Sequence, residues 1–250
     1  QDILKSKNIN VDTEEFEDEL EQQRNLARSS WSGSGDSKTE KIWFELNAKL
    51  NPTEFLGYSV NETESAVISI ISNGKECKTL KSSESGTLIL NQTVFYAESG
   101  GQIGDQGKIF GNDFTFQVND TKKKGNLILH IGTITEGKIN KNDQVKCHIN
   151  EERRNNCRSY HSATHILHQA LRDELGGHVA QKGSLVSHDK LRFDFSHHLA
   201  MSQNEINAVE LKINKIINNA TDVSTKLMSP EDAIKEGALA LFGEKYTDEV

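Results

Sequence analysis

Ala66-Val67-Ile68-Ser69-Ile70-Ile71 is a run of aliphatic and β-branched residues that stops at Asn73-Gly74. Asn-Gly after such a run is a strong hairpin signal, because both residues tolerate the positive φ of a tight two-residue turn. Working outward, similar short runs recur: Thr87-Leu88-Ile89-Leu90, Thr93-Val94-Phe95-Tyr96, Phe114-Thr115-Phe116-Gln117-Val118, Leu127-Ile128-Leu129-His130 and Gln144-Val145-Lys146-Cys147. Strands this short, separated by turn residues at this spacing, predict a small glycine-rich barrel or sandwich over residues 51–149.

After Asn150 the period becomes helical. Glu151 to Leu175 reads as one long helix stopped by Gly176-Gly177. Ser184-Leu185-Val186 and Leu191-Arg192-Phe193-Asp194-Phe195 alternate as strands. Ser202 caps a predicted helix to Asn219, with Ile206, Val209, Ile213, Ile216 and Ile217 on one face. Val223 to Met228 is strand-like, Ser229-Pro230-Glu231-Asp232 starts a short helix, and Leu239-Ala240-Leu241-Phe242 is apolar. Upstream, an acidic helix is expected behind Asp12-Thr13-Glu14-Glu15, followed by the Ser/Gly linker Ser29 to Ser37. The fold class is therefore α+β. Residues 1–50 read as a helical tail and linker, 51–149 as a barrel-like domain with a Gly-rich loop, and 150–250 as a mixed helix-and-sheet domain.

Composition narrows the function classes. With 250 residues, the chain can bury a real core in one large or two modest domains. No apolar run approaches the roughly 20 residues of a membrane span. A net charge of -8 rules out general electrostatic binding of nucleic acid but leaves room for a local basic site; no DNA is expected. Three dispersed cysteines, Cys77, Cys147 and Cys157, argue against a disulfide framework and for a reducing, cytoplasmic setting. The chain starts at Gln1 without Met and without the apolar segment of a signal peptide, which suggests a piece of a longer polypeptide.

The sharpest chemical feature is His161-Ser162-Ala163-Thr164-His165. Histidines at i and i+4 lie side by side on a helix and can share one metal ion. The pair reads equally well as two structural histidines. No Glu follows the first histidine, so the metallopeptidase motif is absent. Cys157, one turn earlier, is too far along the helix axis to converge on the same ion and is expected as a small buried residue. His168, His178, His188, His197 and His198 lack a ligand spacing. On these residues alone a metal site is half-built.

Two further segments carry polar chemistry. In Tyr96-Ala97-Glu98-Ser99-Gly100-Gly101-Gln102-Ile103-Gly104-Asp105-Gln106-Gly107, adjacent glycines allow backbone amides to approach an anion closely. A tight turn or bulge is the plainer reading of a bare Gly-Gly. Gly177-His178-Val179-Ala180-Gln181-Lys182-Gly183-Ser184, leading to Arg192, places polar groups beside strand ends, suited either to a polar pocket or to a plain loop.

Together VFYAESGGQIGDQG (Val94–Gly107), HSATHILHQAL (His161–Leu171), HVAQKGSLV (His178–Val186), LRFDFSH (Leu191–His197) and ALALFGEKY (Ala238–Tyr246) resemble the bacterial-type alanyl-tRNA synthetase family. The resemblance covers nearly the whole chain. It implies that residues 150–250 are an α/β two-layer editing (deacylase) domain, truncated at its C-terminus. That domain removes serine or glycine wrongly attached to tRNA(Ala). The family's ATP- and Mg2+-using aminoacylation core would lie before Gln1. His161 and His165 match the first two ligands of a Zn2+ site whose Cys-x3-His pair would fall beyond Val250. By the same resemblance Thr164, Gln181 and Arg192 are candidate catalytic residues, and Thr164 is the expected reader of the serine hydroxyl. Gly100, Gly101, Gln102 and Lys182 are candidate contacts to the tRNA acceptor end. The alternative is a non-catalytic module that binds the acceptor end.

Overall fold

The computed structural model describes residues 36–221, 226 and 228–238. The expected N-terminal acidic helix, most of the Ser/Gly linker and the apolar segment from Leu239 lie outside the described residues, as does most of the strand-like stretch from Val223. Asp36 and Ser37, assigned above to the linker, instead open helix α1 (Asp36–Lys49).

The described chain divides into two units. The first comprises residues to 161 together with 183–192; the second comprises 162–182 and the residues from 193 onward. In the first unit the strands are β1 (Glu54–Phe55), β2 (Glu62–Ser72), β3 (Lys75–Cys77), β4 (Thr79–Lys81), β5 (Ser85–Leu90), β6 (Gln92–Thr93), β7 (Gly107–Phe110), β8 (Thr115–Lys124), β9 (Leu127–Glu136), β10 (Lys138–Asn140) and β11 (Gln144–Ile149). The order β11-β7-β8-β9-β5-β2 closes on itself through β11–β2 pairing, giving a six-stranded antiparallel barrel. Closure removes the sheet edges that would otherwise invite aggregation. The predicted hairpin is present: Asn73 and Gly74 have φ of 50° and 70°, and β3 folds back on β2.

The barrel follows from period-two patterning. On β11, Val145, Cys147 and Ile149 are buried while Gln144, Lys146 and His148 are exposed. Phe95, Ile109, Phe116, Val118, Leu88 and Ile134 are fully buried in the core. Each contributes about 1.5–3 kcal/mol by leaving water. A second cluster forms where Leu46, Ile42 and Trp43 of α1 cover Ile71, Ile89, Leu127 and Leu129. Asn47 secures that helix end by donating to Lys124 O at 3.0 Å and accepting from Asn126 N at 2.9 Å.

The expected strand Thr93–Tyr96 ends after Thr93. The reason is local: Phe95 N donates to the Thr93 hydroxyl, and Val94 O accepts from Arg154, so neither group pairs in a ladder.

Helix α2 runs from Glu151 to Leu175, as predicted. The Asn150 side chain accepts from Arg153 N at 3.0 Å, and Gly176 ends the helix at φ 112°. Strands β12 (Gln181–Val186) and β13 (Leu191–Phe195) pair with each other.

The second unit has its own small core, in which Ala170, Leu171 and Val179 pack with Val209 of α3 (Gln203–Asn218) and with Phe193 and Phe195. Ser202 and Glu205 form a reciprocal capping box at the start of α3. Helix α4 (Pro230–Lys235) is capped by Ser229 and starts with proline, as expected. Among the described residues no helix is long and apolar enough to cross a membrane.

Candidate functional site

The glycine-rich segment 96–107 joins β6 to β7 and is tied down at several points in the first unit. Ser99 and Gln102 exchange backbone bonds of 3.1 and 2.9 Å, which makes a tight turn around Gly100 and Gly101. Both glycines have positive φ, 58° and 81°. Gly101 is needed twice over, since a Cβ there would also meet the Ser184 carbonyl oxygen at 2.6 Å. That close approach lets Val186 N donate to Gly101 O at 2.8 Å and Ile103 N to Val186 O at 3.1 Å. The plainer reading, a turn between strands, is thus what the backbone does. The turn also carries a polar side chain to a specific place.

That side chain is Gln102, which is 7% exposed. Its Oε1 lies 2.8 Å from Nδ1 of His161 on α2. The two groups are brought together from positions 59 residues apart in sequence.

A few residues on, Asp105 anchors the same loop. It accepts from Tyr96 N at 2.7 Å through its carboxylate and from the Thr121 hydroxyl at 2.8 Å through its carbonyl. The carboxylate also receives Arg154 of α2 through Nε at 2.9 Å and through Nη2. Arg154 completes its set with Gly57 O and Val94 O, both at 2.8 Å. Asp105 and Arg154 are both buried, so loop and helix are locked by a desolvated ion pair. Sequence reasoning gave neither Asp105 nor Arg154 a role. A lone carboxylate beyond the glycine pair was the available signal; its partner 49 residues away was not legible.

His161 is half-buried and His165 exposed, one turn apart on α2. Thr164 is buried on the same helix, in the second unit. Gln181 is half-buried at the start of β12, Lys182 is exposed beside it, and Arg192 is exposed on β13. Gly100 is exposed at the tip of the turn. Cys157 is buried, as expected of a small core residue, and burial pushes its thiol up.

Four other histidines are structural or grouped apart. His168 is buried in the second unit with its ring 5.0 Å from that of Phe193, and desolvation lowers its pKa. His178, His197 and His198 lie together with near-parallel rings. His178 Nε2 is 2.9 Å from His197 Nδ1, so these rings stack and share a hydrogen bond rather than aim lone pairs at one point.

A family model described as tRNA synthetases class II (A) matches residues 1–153. The chain belongs to this family. This synthetase chain is 49% identical over 251 residues to the alanine–tRNA ligase of Rhodopseudomonas palustris, with 100% of the chain and 28% of the relative covered. It is 47% identical over 251 residues to the alanine–tRNA ligase of Nitrobacter winogradskyi, again with 100% of the chain and 28% of the relative. It thus spans 28% of the length of these two relatives.

The metal expectation can be tested on the donor chemistry. Two imidazoles at i and i+4 fit two of the four positions of a tetrahedral zinc set. Gln102 Oε1 can only accept at Nδ1, and in the neutral ring that contact leaves the His161 lone pair on Nε2, the form a metal ligand requires. Among the described residues, no group of three or more His, Cys, Asp or Glu is arranged to hold a metal ion. The described residues thus group no third ligand with the His161–His165 pair.

Proposed function

We propose that this chain is the editing region of an alanine–tRNA ligase, and that it hydrolyses the ester of mischarged Ser-tRNA(Ala) and Gly-tRNA(Ala). In this reading the full-length protein joins alanine to tRNA(Ala) using ATP and Mg2+ elsewhere in its length. The observation that carries it is the Gln102–His161 contact: it joins the glycine-rich motif to the His-x3-His helix, two of the five motifs of the family resemblance. Identity to alanine–tRNA ligases over the entire chain supports the same reading.

The reaction is attack of water on the aminoacyl ester carbonyl, with the terminal ribose oxygen leaving. His161 and His165 would hold a zinc ion, which would supply Lewis-acid polarisation of the ester or of the attacking water. Thr164 is assigned to read the seryl hydroxyl. The logic is selectivity: serine adds one hydroxyl to alanine, and an apolar pocket rejects that addition only about 100-fold. A site that bonds the hydroxyl discriminates far better, because alanine leaves a buried partner unpaired. Gln181 takes the polar position of the family motif. Arg192 and Lys182, both exposed, are suited to the terminal phosphates or ribose. Gly100 and Gly101 present backbone to the acceptor end.

The test is hydrolysis of Ser-tRNA(Ala), measured with zinc content, on the full-length protein and on its His161→Asn/His165→Asn variant. Loss of both zinc and hydrolysis is expected. Undiminished hydrolysis in the double variant overturns the assignment. Binding of tRNA without any hydrolysis by the unmodified protein would favour a non-catalytic acceptor-end module.

A further inference from the structure

We propose that Gln102 is a positioning residue for His161, holding its imidazole in the tautomer and orientation that present Nε2 as the ligating nitrogen. The proposal rests on the reading of His161 as a zinc ligand and adds the group that prepares it.

The geometry supports this in three steps. Gln102 Oε1 is an acceptor only, so a 2.8 Å contact with Nδ1 calls for a proton on Nδ1, and in the neutral ring this leaves the lone pair on Nε2. The Gln102 backbone cannot drift, because it exchanges bonds with Ser99 while its neighbours Gly101 and Ile103 bond to Val186. Three residues on, the same loop is fixed to α2 by the Asp105–Arg154 pair, two turns before His161. A side chain that is 7% exposed and held by such a frame orients a ring better than a mobile surface contact would. The glycine pair then has a second purpose besides any contact with RNA: it makes the turn that aims Gln102 at the helix.

The experiment uses the full-length protein labelled with 15N-histidine, the His161 signals being assigned by their absence in His161→Asn. Ring-nitrogen shifts of the zinc-stripped protein at pH 8 report the tautomer, and chelator competition reports zinc affinity. Gln102→Glu keeps the acceptor, whereas Gln102→Met and the shorter Gln102→Asn remove it from reach. Wild type and Gln102→Glu are expected to show the proton on Nδ1. Gln102→Met and Gln102→Asn are expected to lose that preference and to bind zinc about 10- to 100-fold more weakly.

Retention of the Nδ1 proton and of full zinc affinity in both shortened or apolar variants overturns the positioning role. Should one of the two fail to fold, the other decides. If His161→Asn itself binds zinc as tightly as wild type, the zinc reading fails separately, and the tautomer comparison still decides whether Gln102 sets the ring.

Discussion

Arg154 and Asp105 form a buried ion pair that is also tied to the backbone: Asp105 accepts from Tyr96 N, and Arg154 donates to Gly57 O and Val94 O. Desolvating two charges is costly, and their attraction offsets that cost only when every donor and acceptor is satisfied. Removing one partner leaves the other charged, buried and alone.

Asp105→Ala or Arg154→Met should therefore each destabilise the protein by about 3–5 kcal/mol. The double variant should lose less than the sum, since no lone charge remains. Urea denaturation of the four proteins forms the cycle. Additive losses would mean that the two side chains act independently.

His130 makes stability depend on acid. It is fully buried, donates through Nδ1 to Leu88 O at 3.1 Å and meets the Thr93 hydroxyl through Nε2 at 2.8 Å. Desolvation pushes its pKa down to about 4. A folded-state value below the unfolded one means that acid favours the unfolded chain. The full contribution of the neutral ring is present above about pH 6.5 and is lost progressively as pH falls toward 4. The loss attributable to this ring should reach about 3 kcal/mol. Comparing denaturation midpoints of wild type and His130→Gln from pH 7 to pH 4 isolates it, and the pH slope should flatten in the variant. Parallel slopes would show that the ring is protonated in place.

Gly101→Ala combines a φ of 81° with a clash against the Ser184 carbonyl. Strain of this kind costs about 1–3 kcal/mol. The site of the damage is specific, because the turn must move away from β12. Faster amide exchange at Val186 and Ile103 should accompany the loss of stability, while barrel amides such as that of Phe116 change little. Unchanged exchange at both loop positions would show that the approach of loop to strand tolerates a methyl group.

Thr164→Val and Gln181→His, placed in the full-length protein, should each raise the accumulation of serine on tRNA(Ala). In the proposed reading, replacing the threonine hydroxyl by a methyl group leaves the seryl hydroxyl without its bond. The effect is measured as Ser-tRNA(Ala) hydrolysis beside alanine attachment, which should stay intact. Unaltered Ser-tRNA hydrolysis in both variants would remove these residues from the editing assignment.

Cys147 should resist alkylation in the folded protein. Burial among barrel side chains, against only a weak bond to Ser65, pushes its thiol up to about 12. The thiolate is the reacting form, so labelling should track unfolding. Cys77, half-buried at the barrel surface, should react first.

Much of the architecture was legible in the residues alone because it is local. The period-two run from Ala66, the Asn73-Gly74 turn, the helix from Glu151 to Leu175 and the caps at Ser202 and Ser229 each follow from neighbouring side chains, and each is present. The failures were local readings overridden from a distance. Val94 to Tyr96 has strand composition, yet Arg154 takes the carbonyl that a ladder would need. Asp36 and Ser37 have linker composition, yet they open a helix whose apolar face finds the outside of the barrel.

The candidate site divides in the same way. Residue type and spacing determined that two histidines share a helix face and that the glycine pair permits a tight turn, because helix and turn geometry depend on a few consecutive dihedrals. Only the tertiary structure decided that the turn delivers Gln102 to His161 and Asp105 to Arg154. Closing a barrel brings groups together across 59 and 49 residues, and no short-range pattern encodes which ones will meet.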